Sequence, residues 1–134
     1  MPVKWTVDLA TGHARIDAQH RQLYEQVAAL HEAMHSHQLD RVPEILDFLQ
    51  RYVDEHFALE EREMAAVAYT GLGEHHRLHQ RFVADFLRHR AALSEGITAG
   101  AVVELSHWIT EWLSDHIRRV DVEMARHLRK RGGD

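Results

Sequence analysis

The sequence contains no cysteine among its 134 residues. This absence excludes disulfide bonds, thiolate catalysis, and metal or iron–sulfur sites with cysteine ligands. The sequence also has no apolar run long enough to cross a bilayer. Residues 1–5 lack the apolar core of a secretory signal. We therefore expect a cytoplasmic protein without a membrane partner.

The chain has no excess of positive charge. Its net charge is -5, and no strongly basic face dominates, which argues against a nucleic-acid partner. One basic cluster, residues 126–131, is interpreted as the end of a helix, where cations suit the helix dipole. The length and the 45% hydrophobic content indicate one globular domain over residues 1–134.

The spacing of apolar residues predicts helices and no strands. Apolar side chains recur every three or four residues in four stretches, and no β-type alternation is present. Asp17 and Thr98 are candidate N-caps, and Pro43 fits a first turn. Short loops favour an all-α fold, an up-down-up-down antiparallel four-helix bundle. The expected elements are an extended N-terminal arm, 1–16, and helices at about 18–37, 41–66, 73–94 and 98–130.

The 13 histidines are the unusual feature of the composition. His56 and Glu60 are four residues apart within a predicted helix, so they share one face. The predicted topology brings further donors from all four helices to the same end of the bundle, on inward stripes. Unpaired polar groups buried there would be costly, and a metal would satisfy them together. The candidate metal ligands are His20, His56, Glu60, His75, His79, His116 and Asp121.

The number of these donors predicts more than one metal ion. Five imidazoles and two carboxylates exceed one coordination sphere and suit a dinuclear site with bridging carboxylates. Such donors favour iron, zinc or copper over magnesium or calcium. The spacing of His116 and Asp121 does not fit an ideal helix, because five residues turn through about 500° and leave the side chains about 140° apart. A local distortion such as a π-bulge would reconcile them.

The ordered pattern of these residues resembles the hemerythrin family, specifically its single-domain bacteriohemerythrins. It comprises His20, His56-x-x-x-Glu60, His75-x-x-x-His79 and His116-x-x-x-x-Asp121. Residues around these motifs also agree, and the resemblance covers the chain from Trp5 to about Leu128. The resemblance implies a non-haem di-iron centre, bridged by an oxo or hydroxo group, that binds O2 reversibly for storage, delivery or sensing.

The resemblance also implies a role for each donor. Three histidines would hold one iron and two would hold the other, which keeps the open position for O2. The two carboxylates would bridge the irons. The first set is His75, His79 and His116, the second is His20 and His56, and the bridges are Glu60 and Asp121.

Apolar residues flank the candidate ligands at helical spacing. Reversible O2 binding needs a pocket that admits O2 and keeps out water and reductants. Trp112, one turn before His116, is the best candidate for a pocket residue. The expected apolar wall consists of Leu23, Trp112, Leu113 and Ile117.

Other functions are compatible with the same donors. The alternatives are a di-iron enzyme that reduces peroxide, O2 or nitric oxide, an iron-handling protein, and a helical bundle that holds no metal. Histidine-rich ligation argues against a di-iron oxygenase, because those enzymes use carboxylate-richer Glu-x-x-His sets. A sensor would need a separate protein partner, which the sequence does not identify.

The remaining histidines are expected to lie away from the site. His31, His35 and His37 occur late in the first helix, more than about 15 Å from His20 by the helical rise, so a surface position is expected. His13 lies in the predicted arm and is expected to take no part in the site. Arg119, between His116 and Asp121, is expected to point to solvent.

Overall fold

Four long helical segments make up most of the chain. The computed structural model describes residues 4–130, and these residues contain no β-strand. Parts of the predicted arm and domain, residues 1–3 and 131–134, lie outside the described residues. The helices are α1 Ala14–His35, α2 Val42–Ala66, α3 Leu72–Ala92, α4 Ala99–His116, a π-helical turn Ile117–Asp121 that follows without a break, and α5 Val122–Lys130.

Three short turns of 3-10 helix are also present among the described residues. Val7–Leu9 precedes α1, Leu39–Arg41 lies between α1 and α2, and Leu93–Glu95 lies between α3 and α4. The third helix therefore ends at Ala92 rather than 94. Thr98 caps α4 as predicted, because its side chain accepts a hydrogen bond from the Ala101 amide at 3.1 Å. Nowhere in residues 4–130 does a helix have the length and apolar character that crossing a bilayer requires.

One apolar cluster fills the space between the helices. α1 packs against both α2 and α4, and α2 packs against α3. Fully buried aliphatic side chains such as Val27, Leu30 and Leu105 lie within this cluster. Burying a side chain of this size stabilises the fold by about 1.5–3 kcal/mol. The apolar stripes seen in the sequence are therefore the faces by which the helices pack.

A second, smaller apolar cluster closes one end of the helical core. It consists of Ile16, Met64, Met124 and Leu128, all of which are buried. Ile16 is one turn before His20, and Met64 is one turn after Glu60. The cluster therefore lies one helical turn beyond the candidate metal ligands and separates them from solvent at this end.

The first helix begins earlier than the sequence suggests. The prediction that Asp17 caps this helix is wrong, because α1 starts at Ala14 and the capping residue is His13. His13 accepts a hydrogen bond on Nδ1 from the Ile16 amide at 3.3 Å. The expected extended arm over 1–16 is not confirmed, because among its described residues Val7–Leu9 form a 3-10 turn and residues 14–16 are helical.

Asp17 instead closes the loop that precedes α1. Its buried carboxylate accepts hydrogen bonds from the Thr11 amide at 2.9 Å, the Thr11 hydroxyl at 2.7 Å and the Gly12 amide at 3.3 Å. Arg129 of α5 donates to the Thr11 carbonyl at 2.6 Å. Gly12 has φ 89°, and a Cβ there would lie 2.5 Å from Arg129 Nη1. These contacts tie the N-terminal loop to α5.

We predict that Asp17→Ala destabilises the protein by about 2–3 kcal/mol, because it leaves the buried Thr11 donors without their charged acceptor. Urea unfolding of the purified protein measures this change. Asp54→Ala, which removes an exposed carboxylate from α2, is the matched control and should change the free energy of unfolding by less than about 0.5 kcal/mol. Equal stabilities of the two variants would contradict this role for Asp17.

Candidate metal centre

The structure brings all seven candidate ligands together in the interior. They form two groups that share the carboxylates Glu60 and Asp121, and the ligand atoms within each group lie within 4.8 Å of one another. Every one of these residues is buried. The larger group adds His75, His79 and His116 to the shared carboxylates, and the smaller group adds His20 and His56.

Both carboxylates extend one oxygen toward each group. Glu60 Oε1 lies 3.1 Å from His79 Nε2, and Glu60 Oε2 lies 3.1 Å from His56 Nε2. Asp121 Oδ1 lies 3.1 Å from both His75 Nε2 and His116 Nε2, whereas Asp121 Oδ2 lies 3.1 Å from His20 Nε2. Each carboxylate therefore presents one oxygen to each donor group, which is the geometry that a carboxylate needs to bridge two cations.

The spacing of the donor atoms fits metal coordination. Two ligands at right angles around a metal at about 2.1 Å lie about 3.0 Å apart. His75 Nε2 and His116 Nε2 are 3.2 Å apart, and most of the imidazole–carboxylate separations are 3.1 Å. These separations are those of adjacent ligands around one metal ion.

Several of these atoms have no hydrogen-bond partner among the described residues, although they lie close to one another. Both oxygens of Glu60 are unpaired in this way. So are His20 Nε2, His79 Nε2 and Asp121 Oδ1. Buried polar atoms without partners cost several kcal/mol unless another group satisfies them. Within each group the donor atoms lie close enough together to share one cation, so the residues fit two bound cations.

The carboxylates and imidazoles of the site change one another's pKa. Burial disfavours the charged imidazole of His20, but Asp121 and Glu60 outweigh burial and raise the pKa of His20 to about 9. The same balance raises the pKa of His75 to about 9. Burial acts to raise the pKa of Glu60, but the imidazoles, above all His56, lower this pKa well below its usual value. Burial and Glu60 likewise act to raise the pKa of Asp121, but His116 and His20 lower it well below its usual value, so both carboxylates favour the anionic form that attracts cations.

The π-helical turn places Asp121 at the site. A π-helix makes i→i+5 hydrogen bonds, so residues five apart share a face. The turn occupies Ile117–Asp121, directly after His116. His116 Nε2 and Asp121 Oδ1 therefore approach to 3.1 Å. The predicted local distortion is confirmed at this position.

Two polar residues that the sequence reasoning missed orient the ligand rings. His56 donates from Nδ1 to Gln19 Oε1 at 2.6 Å, and His79 donates from Nδ1 to Glu61 Oε2 at 2.8 Å. Partners of this kind fix the ring orientation and leave Nε2 for the metal. Glu61 also contacts the half-exposed His76, whose Nδ1 lies 2.8 Å from Oε1. Gln19 and Glu61 each adjoin a ligand in sequence, which is the signal that could have identified them.

Aromatic rings stack on two of the ligand histidines. Phe57 stacks on His79 with ring centroids 3.7 Å apart and an interplanar angle of 3°. Trp112 stacks on His116 at 4.4 Å and 14°. Trp112 is half-buried. Its stacking on His116 places it beside the three-histidine group, whereas the resemblance places O2 at the two-histidine group. Its role as an O2-pocket residue stays a prediction.

The other expected pocket residues are buried. Leu23, Leu113 and Ile117 belong to the large apolar cluster. Each lies within one helical turn of a candidate ligand along the chain, and their contact with O2 stays a prediction.

Residues expected away from the site lie away from it. Arg119 is exposed and donates to the Asp115 carboxylate at 3.0 and 2.8 Å, which confirms its solvent orientation. His35 and His37 are exposed, and His31 is half-buried. His13 is buried at the start of α1, where it acts as a helix cap.

Two buried, histidine-rich donor groups lie among the helices and share two carboxylates. This combination is typical of helical proteins that hold a dinuclear metal site. The family model of the Hemerythrin HHE cation binding domain matches residues 11–128. The chain belongs to the hemerythrin family.

Individual relatives agree with this assignment. The chain is 32% identical over 126 residues to a bacteriohemerythrin of Pseudomonas aeruginosa, covering 92% of this chain and 81% of the relative. It is 29% identical over 127 residues to a myohemerythrin of Riftia pachyptila, covering 95% of this chain and 94% of the relative. A crystal structure of a hemerythrin mutant superposes with a TM-score of 0.81 at 26% identity, covering 96% of this chain and 98% of that one.

We predict that Glu61→Ala weakens iron binding about 10–100-fold, because His79 loses the acceptor that orients its ring. The rate of iron loss to an excess of chelator, followed by absorbance, measures the effect. Glu55→Ala removes an exposed carboxylate from the same helix and is the control. Identical rates of iron loss in the two variants would show that Glu61 does not orient His79.

Proposed function

We propose that this protein binds O2 reversibly at a non-haem di-iron centre bridged by an oxo or hydroxo group. The observation that carries the proposal is the pair of buried donor groups that share both carboxylates. Membership of the hemerythrin family and the similarity to bacteriohemerythrins support the choice of iron and O2. We propose that the protein serves O2 storage, delivery or sensing and is not primarily an enzyme.

Each donor group would hold one iron. His75, His79 and His116 would hold the first, and His20 and His56 the second, with Glu60 and Asp121 bridging both. The second group has one imidazole fewer, so it leaves room for O2 there. When bound, the ferrous pair supplies the two electrons that O2 takes up and recovers them when O2 leaves.

The protein's own residues make the reaction reversible. Leu23, Leu113 and Ile117, each no more than 3% exposed, exclude water and reductants from the centre. Gln19 and Glu61 hold His56 and His79 by their Nδ1 atoms, so the ligand rings need not turn when O2 enters or leaves. A rigid, dry site of this kind favours release of O2 over its further reduction.

The remaining proposals concern the setting of the site. We infer an up-down-up-down bundle, because α1 contacts α2 and α4 and the connections between helices are short. We also propose a single domain over residues 1–134 and a cytoplasmic location. O2 is the only partner that the site requires.

We predict that the reduced protein develops a visible charge-transfer band on exposure to O2 and loses it when O2 is removed. Absorption spectra recorded over repeated O2 and argon cycles measure this. Irreversible conversion to the diferric form on the first exposure would contradict an O2 carrier. Rapid multiple turnover of peroxide with a reductant would favour the enzymatic alternative.

We predict that Glu60→Gln loses at least one of the two irons, because a neutral amide does not replace a carboxylate that bridges two cations. Metal analysis measures the iron content, and far-ultraviolet circular dichroism verifies that the helices remain. Glu55→Ala should retain the iron content of the unmodified protein. Full retention of iron in Glu60→Gln would contradict the bridging role.

A further inference from the structure

A second pair of histidines lies on α1, outside the metal centre. His31 and His35 are four residues apart, and their Nε2 atoms are 3.0 Å from each other. Their ring centroids are 4.6 Å apart, with an interplanar angle of 71°. His35 is exposed and His31 is half-buried, so solvent reaches the pair.

This geometry closely matches that of the buried ligands. His75 and His116 have Nε2 atoms 3.2 Å apart, ring centroids 5.0 Å apart and an interplanar angle of 75°. His75 and His79, also four residues apart, have centroids 4.5 Å apart at 65°. The surface pair thus presents two imidazole nitrogens at the spacing of adjacent ligands around one metal, about 3.0 Å.

The position of the pair on the helix also favours a cation. His35 is the last residue of α1, where the helix dipole attracts positive charge. Glu32, in the same final turn, adds an exposed carboxylate to this end of the helix. Because the pair is accessible, water can complete the coordination of a bound ion.

We propose that His31 and His35 form a surface site for one divalent transition-metal ion. Two imidazoles favour copper, zinc or nickel over magnesium and calcium, with Cu²⁺ bound most tightly. The site is separate from the di-iron centre, because the 11 residues from His20 to His31 along α1 span roughly 16 Å. The bound ion links two successive turns at the end of α1 and stabilises the folded protein.

The direct test is a Cu²⁺ titration of the untagged, iron-loaded protein, followed by electron paramagnetic resonance. We expect one saturable Cu²⁺ per chain with nitrogen couplings from two imidazoles. His31→Ala and His35→Ala should each weaken this binding at least tenfold, because each removes one of the two ligands. His107→Ala is the control, because His107 is exposed on α4 and contacts Glu111 instead of a second histidine.

A second measurement uses folding as the readout. Zn²⁺ should raise the Tm of the iron-loaded protein, and the rise should be lost in His35→Ala but retained in His107→Ala. Absence of saturable Cu²⁺ binding would show that the 3.0 Å contact is only a hydrogen bond between neutral imidazoles. Unchanged Cu²⁺ affinity in a His31→Ala, His35→Ala double variant would likewise overturn the proposal.

Discussion

The burial of two carboxylates among five imidazoles is the constraint on which the rest of this structure depends. Removing an ionised group from water costs several kcal/mol, and only opposite charge at close range offsets this cost. Without bound metal, the carboxylates raise the pKa of His20 and His75 to about 9, so that protonation of these imidazoles would offset part of the negative charge. Two bound cations would take the place of these protons, because metal-ligating imidazoles are neutral. Much of the surrounding structure serves to hold these donors at fixed distances.

Three features of the fold meet this requirement. The π-helical turn brings Asp121 onto the face of His116, which a continuous α-helix would not do. Gln19 and Glu61 fix the rings of His56 and His79. The small cluster of Ile16, Met64, Met124 and Leu128 closes the end of the core, and the contact of Arg129 with the Thr11 carbonyl holds α5 against the N-terminal loop. The donors therefore come from α1, α2, α3, α4 and the π-helical turn, and the small apolar cluster packs one turn beyond them.

The sequence predicted which donors converge at the site. It did not predict the contacts of the residues around these donors. The pair His56 and Glu60 indicates little alone, but the predicted topology brings His20 and the other donors to the same end of the bundle. Asp17 was misassigned because aspartate both caps helices and closes loops, and only the structure shows its carboxylate turned toward Thr11. Helical spacing gave the distance of Trp112 from His116 but not which donor group it contacts. The sequence did not predict the roles of Gln19 and Glu61, because each depends on a partner that lies on another helix.

The central claim is that the buried donors hold two irons as a bridged pair. Mössbauer spectroscopy of the iron-57-loaded oxidised protein, combined with metal analysis, tests it most directly. The account predicts two irons per chain in nitrogen and oxygen environments, antiferromagnetically coupled so that the ground state is diamagnetic. A single zinc per chain, or one magnetically isolated iron, would contradict it.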